Sequence, residues 1–273
     1  MLICNKHIKH IIMQNYKLYK GAWVFAGDPS KSEKLTHYQC VELLNRGGVR
    51  ETFDFDCKEK TSFWFVIKDS FGGMDELSAK MRNQVRKCFK TMRVERISAA
   101  YLSDNGYEVY VAACDNYHVK AEPPTREQFE ARIRNAVENE YWGAIDITTG
   151  NLVAFCMNAV TDECCKYRTM KAIPKYQKLY AYYGLIYEMN RYYLEERKLG
   201  YVSDGARSIT NHSNIQPFLI EKFKFRKAYC RLRITYKWWL GMAVCMLYPF
   251  RKTIRARRVR AMLDMGAMAR GEM

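Results

Sequence analysis

Tyr167-Arg168-Thr169-Met170-Lys171-Ala172-Ile173-Pro174-Lys175-Tyr176 reads as a strand that runs into a proline. A tyrosine-loaded stretch follows, and the chain then reaches Tyr201-Val202-Ser203-Asp204-Gly205-Ala206-Arg207-Ser208-Ile209. It goes on to Asn214-Ile215-Gln216-Pro217-Phe218-Leu219-Ile220-Glu221-Lys222-Phe223-Lys224-Phe225-Arg226-Lys227. The spacing predicts a helix over residues 178–197, ended by Gly200, since glycine accepts the left-handed conformation past a helix end. Residues 201–203 are short and apolar enough for a central strand. Pro217 suits the first turn of the next helix, where its missing N–H costs no hydrogen bond. Residues 228–236 alternate as a final strand. The order is therefore strand, loop, long helix, strand, polar loop, short helix, strand.

Upstream, residues 141–147 and 152–160 form a predicted hairpin about a Thr149-Gly150-Asn151 turn, and residues 163–172 add the third strand of a meander. The spacing predicts a helix over residues 75–92, because Leu77, Met81, Val85 and Phe89 recur every fourth position. Its other face carries Lys80, Arg82, Arg86, Lys87, Lys90 and Arg93. Residues 16–26 and 63–67 read as strands and residues 37–44 as a short helix closed by Gly47-Gly48. Residues 95–100 read as a further strand and residues 108–117 as a helix. Pro123-Pro124-Thr125 caps another helix through residue 139. Hairpins followed by a strand–helix–strand unit predict an α+β (mixed α/β) fold: a mixed, largely antiparallel sheet with helices on both faces. Residues 16–237 are expected to form one domain. Residues 1–15 read as a non-core extension, with Met13 an alternative start, and no secretory leader is recognisable. Residues 238–273 form an apolar-then-basic segment with an amphipathic basic helix.

With 273 residues, 48% hydrophobic and 14% aromatic, the chain can bury a substantial core. Its ten cysteines contain no C-x-x-C pair, and Cys164 and Cys165 are adjacent, which points to free thiols in a reducing cytosol rather than a disulfide framework or a metal site. The net charge is +16, of which residues 251–273 carry +5 from seven basic and two acidic residues. The remaining excess suits polyanionic partners: RNA, anionic lipid head groups or phosphorylated ligands. No Ser-His-Asp order, zinc-ligand spacing, P-loop or dinucleotide fingerprint is present.

The element order over residues 75–237 resembles the C-terminal half of the GNAT acyltransferase fold and is most similar to its Fem-type aminoacyl and peptidyl transferase branch. Lys80-Met81-Arg82-Asn83-Gln84-Val85-Arg86-Lys87 resembles the Arg-Asn-x-x-Arg-Lys helix of Fem-like proteins. Arg82, Asn83, Arg86 and Lys87 are thereby implicated in binding donor phosphates, as two arginines four apart can grip them by charge-assisted contacts. Ser203-Asp204-Gly205-Ala206-Arg207-Ser208, with His212 and Gln216 following, resembles the short strand that abuts the family's acceptor cleft. Asp204 and His212 are the candidate proton acceptors for an amine. Arg207 is a candidate for holding a carboxylate or phosphate, with Ser208 and Gln216 beside it. Tyr176, Tyr180, Tyr183 and Tyr187 are expected on one helix face, the first three as cleft residues with hydroxyls at the rim. One departure stands out. CoA-dependent GNAT enzymes cradle pyrophosphate in a glycine-rich loop entering the long helix. Here residues 173–179 hold no glycine, leaving Lys175 and Lys178 as the candidate phosphate contacts. Fem-type enzymes draw on aminoacyl-tRNA and do without that loop.

Residues 238–250 carry no charge and then meet Arg251, Lys252, Arg255, Arg257, Arg258 and Arg260. At ~1.5 Å per residue a thirteen-residue helix spans about 20 Å, short of a ~30 Å hydrocarbon core. Paired tryptophans beside a basic block instead predict that residues 238–260 meet an anionic membrane surface. The resemblance thus implies a cytoplasmic transferase, peripheral to the membrane, that forms an amide or ester on an amine- or hydroxyl-bearing envelope precursor. No permanently bound cofactor is implied, and the donor, aminoacyl-tRNA or acyl-CoA, stays open. Two other readings stand beside it: an acyl-CoA N-acyltransferase acting on a sugar nucleotide or lipid-linked sugar, and a non-catalytic module of the same fold that binds RNA or membrane.

Overall fold

The computed structural model describes residues 15–19, 21–44, 48–115, 123–136, 138–208 and 214–272. Its strands in chain order are β1 (Tyr16–Tyr19), β2 (Ala22–Phe25), β3 (Gly48–Phe53), β4 (Phe63–Lys68), β5 (Met92–Ile97), β6 (Asn139–Asp146), β7 (Leu152–Val160), β8 (Cys164–Ala172), β9 (Tyr201–Ala206) and β10 (Arg226–Thr235). The chain forms two compact units. One comprises Met1–Phe65, Ala206–Asn214 and Lys227–Met273, the other Val66–Gly205 and Ile215–Arg226.

In the Val66–Gly205 unit the strand order is β9-β8-β7-β6-β5, antiparallel except for the parallel pair β8–β9. The Leu152 and Tyr201 strands thus share one sheet, as their order predicts. Eight of the nine β7 residues are buried, since helices cover both faces, and this is why Leu152–Val160 reads as an apolar run without alternation. One face carries the Ala99–Asp115 and Arg126–Arg134 helices on a core of Leu102, Val109, Phe129, Ile133, Tyr141, Phe155 and Met157. The second of these helices starts in a capping box: the Thr125 hydroxyl accepts from Gln128 N–H while the Gln128 side chain accepts from Thr125 N–H. The opposite face of the sheet meets the Ala181–Asn190 helix, on which the Ala79–Thr91 helix packs. A Cβ on Gly184 would fall 2.3 Å from Cys88 Sγ, so this glycine sets how closely the two helices approach. Met81 and Val85 bury the apolar stripe anticipated for the Ala79–Thr91 helix, with Cys88 added to it.

The helix expected over residues 178–197 is not continuous. Pro174–Gln177 makes one helical turn, Tyr180 then adopts a left-handed φ of +69°, Ala181–Asn190 is α-helical, and Arg191–Glu196 widens into a π-helix. Tyr176 therefore lies outside the helix that carries Tyr183 and Tyr187, and the four tyrosines do not form one stripe.

The other unit orders β1-β2-β3-β10 and the start of β4. A hairpin at Gly21 divides the single strand expected over residues 16–26 into β1 and β2. Strand β3 runs parallel to β2 and antiparallel to β10. It was not anticipated, because Arg50 and Glu51 interrupt its apolar character. Glu51 is nonetheless 0% exposed, held by Arg233 Nε and Nη2 at 2.7 and 2.6 Å and by Leu35 N–H at 2.9 Å. The C-terminal segment belongs to this unit. Trp238–Leu247 is helical, and Arg257–Ala269 forms an amphipathic helix that buries Leu263, Ala267 and Met268. Met268 joins Phe63, Cys230 and Leu232 in the core.

Candidate functional site

Strands β8 and β9 pair over only three rungs, Cys164↔Tyr201, Cys165↔Val202 and Lys166↔Ser203. Beyond them the ladder stops, although β8 continues to Ala172 and β9 to Ala206. A register shift also leaves Arg168 unpaired between Tyr167 and Thr169 on β8, a bulge that bends the strand at the same level. Two parallel strands that part after a short ladder open a wedge at the carboxyl end of the sheet, where α/β sheets present ligand sites. Asp204 is the first β9 residue past the last rung and Tyr167 its counterpart on β8.

Ser203 and Gly205 fix the position of Asp204. The Ser203 hydroxyl donates to Val66 C=O at 3.1 Å and accepts from Gly205 N–H at 3.0 Å. Gly205 sits at φ +89°, a conformation a β-carbon would resist. Burial raises the Asp204 carboxyl from 3.8 to about 7, against the opposing effect of a hydrogen bond from Gln216. A carboxyl balanced near neutrality is suited to general-base work. Gln216 comes from the Ile215–Phe223 helix, so the polar loop and the short helix after β9 supply a partner for the acid.

Behind Asp204 lies a buried polar layer on the sheet face that meets the Ala181–Asn190 helix and its π-helical continuation. The Tyr193 hydroxyl donates to Glu140 Oε2 at 3.1 Å and accepts from Trp142 Nε1 at 3.0 Å and Asn158 Nδ2 at 3.4 Å. Asn158 Oδ1 accepts from Cys156 Sγ at 2.9 Å, and the Tyr167 hydroxyl donates to Asn190 Oδ1 at 2.8 Å. Arg197 pairs with Glu140 where the layer reaches the surface. Burial pushes the Tyr167 phenol and the Cys156 thiol up, and the Asp204 charge adds to both. Each hydroxyl and amide here has a partner, so the layer is rigid support and keeps its protons at neutral pH. None of these residues was singled out from the sequence. The one signal was Asn158, a lone amide in the apolar run Leu152–Val160.

The remaining sequence-chosen residues fall in three places. Lys80, Asn83, Arg86, Lys87 and Lys90 are exposed on the Ala79–Thr91 helix, which contains no acidic residue. Arg82 is half-buried and donates to Leu77 C=O at 2.7 Å, so it braces the helix start. Lys87 Nζ lies 5.5 Å from the Tyr180 ring centroid, which brings the basic helix to the loop where Lys175 and Lys178 are exposed. In that loop the N–H groups of Tyr176, Gln177, Leu179 and Tyr180 all donate to carbonyls of Ile173, Tyr176 or Gln177. Their amides are turned inward rather than out toward a phosphate. Tyr176 is buried, its hydroxyl donating to Asp146 Oδ2 at 2.5 Å, and that bond holds the Asp146 carboxyl below its usual range. Tyr180 packs on Tyr183, which meets Phe218 and Phe223 at ring distances of 5.1 and 6.0 Å.

Arg207 and Ser208 belong to the other unit. Arg207 Nη1 donates to Ser62 C=O at 2.6 Å, and its guanidinium stacks 4.3 Å from the Trp64 ring, whose other cation neighbour is Lys227 at 4.2 Å. Burial lowers the Arg207 pKa. His212 lies outside the described residues. A cavity of about 510 Å³ occurs at the β5–β6 edge, lined by Arg93, Glu95, Arg96, Tyr101 and Asp146 among others. It contains none of the residues above, and its charges are already matched, Arg93 to Glu95 and Asp146 to Tyr176.

No family model matches the chain, and no curated protein matches it. Solved structures do. The crystal structure of FemX aligns with a TM-score of 0.53 at 8% identity, over 76% of this chain and 77% of that one. The C-terminal domain of a putative lysylphosphatidylglycerol synthetase from Agrobacterium fabrum aligns with a TM-score of 0.46 at 12% identity, over 77% and 67%. An aminoglycoside 6'-N-acetyltransferase from Acinetobacter baumannii aligns with a TM-score of 0.38 at 14% identity, over 54% and 96%. The fold is GNAT-like and of the Fem type.

Proposed function

We propose that this chain is an acyl- or aminoacyl-transferase that forms an amide or ester on a cell-envelope precursor at the cytoplasmic face of a membrane. The observation that carries the reading is Asp204: a carboxyl buried enough to titrate near 7, at the point where β8 and β9 part in a Fem-type fold. In the proposed step an acceptor amine attacks the carbonyl carbon of the donor ester. The new C–N bond forms as the C–O bond to the donor breaks, Asp204 takes the amine proton, and the departing oxygen leaves protonated from solvent. Aminolysis of an activated ester depends on holding two substrates in register more than on a strong nucleophile. The rigid polar layer behind Asp204 supports that role.

For the donor we favour aminoacyl-tRNA over acyl-CoA. The loop before the Ala181–Asn190 helix spends its amides internally, and its first glycine, Gly184, is taken up by packing against Cys88. Arg86 and Lys87 stand exposed beside that loop with Lys175 and Lys178, which makes a basic surface suited to a polynucleotide. In the other unit, Arg207 is the candidate contact for a phosphate or carboxylate. The test is transfer of a labelled acyl group to an amine-bearing envelope precursor from each donor, together with tRNA binding by R86A/K87A. Aminoacyl-tRNA should support transfer. The double variant should bind tRNA more weakly, with the slope of log affinity against log salt reduced by about 2. Transfer from acyl-CoA alone, or an unchanged affinity and salt slope, would overturn the donor assignment.

A further inference from the structure

The Trp238–Leu247 helix and the Tyr248–Phe250 turn that follows it present their apolar side to solvent. Trp238 is 76% exposed, Trp239 54%, Met242 51%, Met246 72% and Phe250 61%. At 100° per residue these five positions fall within one third of the helix circumference. Val244, on the opposite side, is 1% exposed and is the helix's buried anchor. A soluble surface helix has the reverse pattern, its apolar stripe inward. Beyond the stripe the Arg257–Ala269 helix is packed down by Leu263, Ala267 and Met268, and Tyr248 is clamped between the guanidinium groups of Arg251 and Arg270 at 4.4 and 3.6 Å. The stripe is thus displayed on a braced element rather than on a loose tail.

Charge identifies the occupant. From residue 227 to residue 263 the chain has ten Lys or Arg residues and no Asp or Glu. Lys252, Arg255, Arg257 and Arg258 are exposed, and none has a carboxylate partner among the described residues. A surface that offers two tryptophans, two methionines and a phenylalanine to one side, beside unneutralised cations, matches the boundary of an anionic bilayer, where acyl chains and phosphates lie side by side. RNA would satisfy the cations and leave the methionines in water. No helix among the described residues is long and apolar enough to cross a membrane, so contact would be with one leaflet.

We infer that the Trp238–Phe250 stripe docks this chain on an anionic phospholipid surface, its tryptophans entering the interface and the Arg251–Arg258 block meeting lipid phosphates. The inference gives a physical means for the membrane-face location proposed above. Its test reads lipid binding and not transfer, so either reading can fail alone. Full-length protein is floated with vesicles of phosphatidylcholine containing 30% phosphatidylglycerol, and with phosphatidylcholine alone, at ~0.1 and ~0.5 M salt. Binding is expected to the anionic vesicles, with a blue shift of tryptophan fluorescence, and to fall several-fold at the higher salt, where screening shortens the reach of charge to a few ångströms. Replacing Lys252 and Arg255 by Gln should weaken partitioning by about fivefold each. M246D, at an exposed position that perturbs no packing, should abolish the blue shift while circular dichroism stays unchanged. The inference is overturned if the protein stays unbound on anionic vesicles at ~0.1 M salt, if M246D binds as well as the parent, or if the exposed stripe proves to be covered by a second copy at micromolar concentration.

Discussion

Replacing Asp204 by Asn keeps the size of the side chain and its ability to accept from Gln216, and removes the titrating proton. Burial raises this carboxyl from 3.8 to about 7 in the folded chain, a difference of about 3 pH units. At about 1.36 kcal/mol per unit the ionised form costs the fold up to ~4 kcal/mol relative to the protonated one. Solvent access at the wedge reduces this, and about 2–3 kcal/mol is the working figure. Between pH ~4 and ~7 the folded state holds a proton that the unfolded state has released, so wild-type stability falls as pH rises through that window. The Asn variant has no such proton. It should therefore match the wild type near pH 4 and exceed it by ~2–3 kcal/mol at pH 8, which is about 1 M in a urea midpoint. Urea unfolding of both proteins at pH 4.5, 6 and 8 measures the gap. In the same variant any transfer activity should be lost, whereas wild-type activity should rise with pH through about 7 as the base becomes available. A gap that is constant from pH 4.5 to 8 would show that Asp204 does not titrate there, and the assignment of a base to this position would go with it.

Replacing Arg233 by Met leaves the fully buried Glu51 carboxylate without its bidentate partner, and a loss of about 3–5 kcal/mol is expected in thermal or denaturant unfolding. A Cβ at Gly184 would stand 2.3 Å from Cys88 Sγ, so Gly184→Ala should destabilise by about 1–3 kcal/mol, and adding Cys88→Ala should restore most of it; an equal effect in both backgrounds would refute the close-packing explanation. Of the described cysteines, exposed Cys245 should react first with a thiol reagent in the native protein, while Cys88, its thiol pushed up to about 12 by burial, should react only on unfolding, as peptide mapping of the modified sites would reveal.

Long, periodic or apolar segments were legible in the amino-acid sequence, and so was the strand–helix–strand order around Asp204. The β6–β7–β8 meander, the Ala79–Thr91 helix and the His37–Leu44 helix stand where their residue patterns place them. What escaped depends on partners distant in the chain. Strand β3 is buried because Arg233, 182 positions away, neutralises Glu51, and nothing near Glu51 announces that. Tyr180 in a left-handed conformation breaks the long helix although an aromatic residue carries no propensity for that region. Asp204 itself was visible as an Asp-Gly pair after a short strand. Its burial, and the layer of Glu140, Asn158, Tyr167 and Tyr193 behind it, arise only when three further strands and a helix are assembled. Arg207 was chosen together with Asp204 because they are neighbours in the chain, yet it is anchored on Ser62 and Trp64 in the other unit.

The wide turn at Arg191–Glu196 makes this the place where chain length is under tighter constraint than chemistry. A π-helical segment holds one residue more than an α-helix of the same rise, and that extra residue turns the following side chains by about 100°. Tyr193 occupies this segment, and its hydroxyl is shared among Glu140, Trp142 and Asn158. Substituting a surface position such as Glu195 changes one side chain. Deleting it would relax the segment into regular α-helix and rotate whatever follows out of register with the sheet, so Arg197 would lose Glu140 and Leu199 its buried seat. Among descendants of this chain, amino-acid replacements across residues 191–196 should therefore accumulate freely at exposed positions, while insertions and deletions there should be purged.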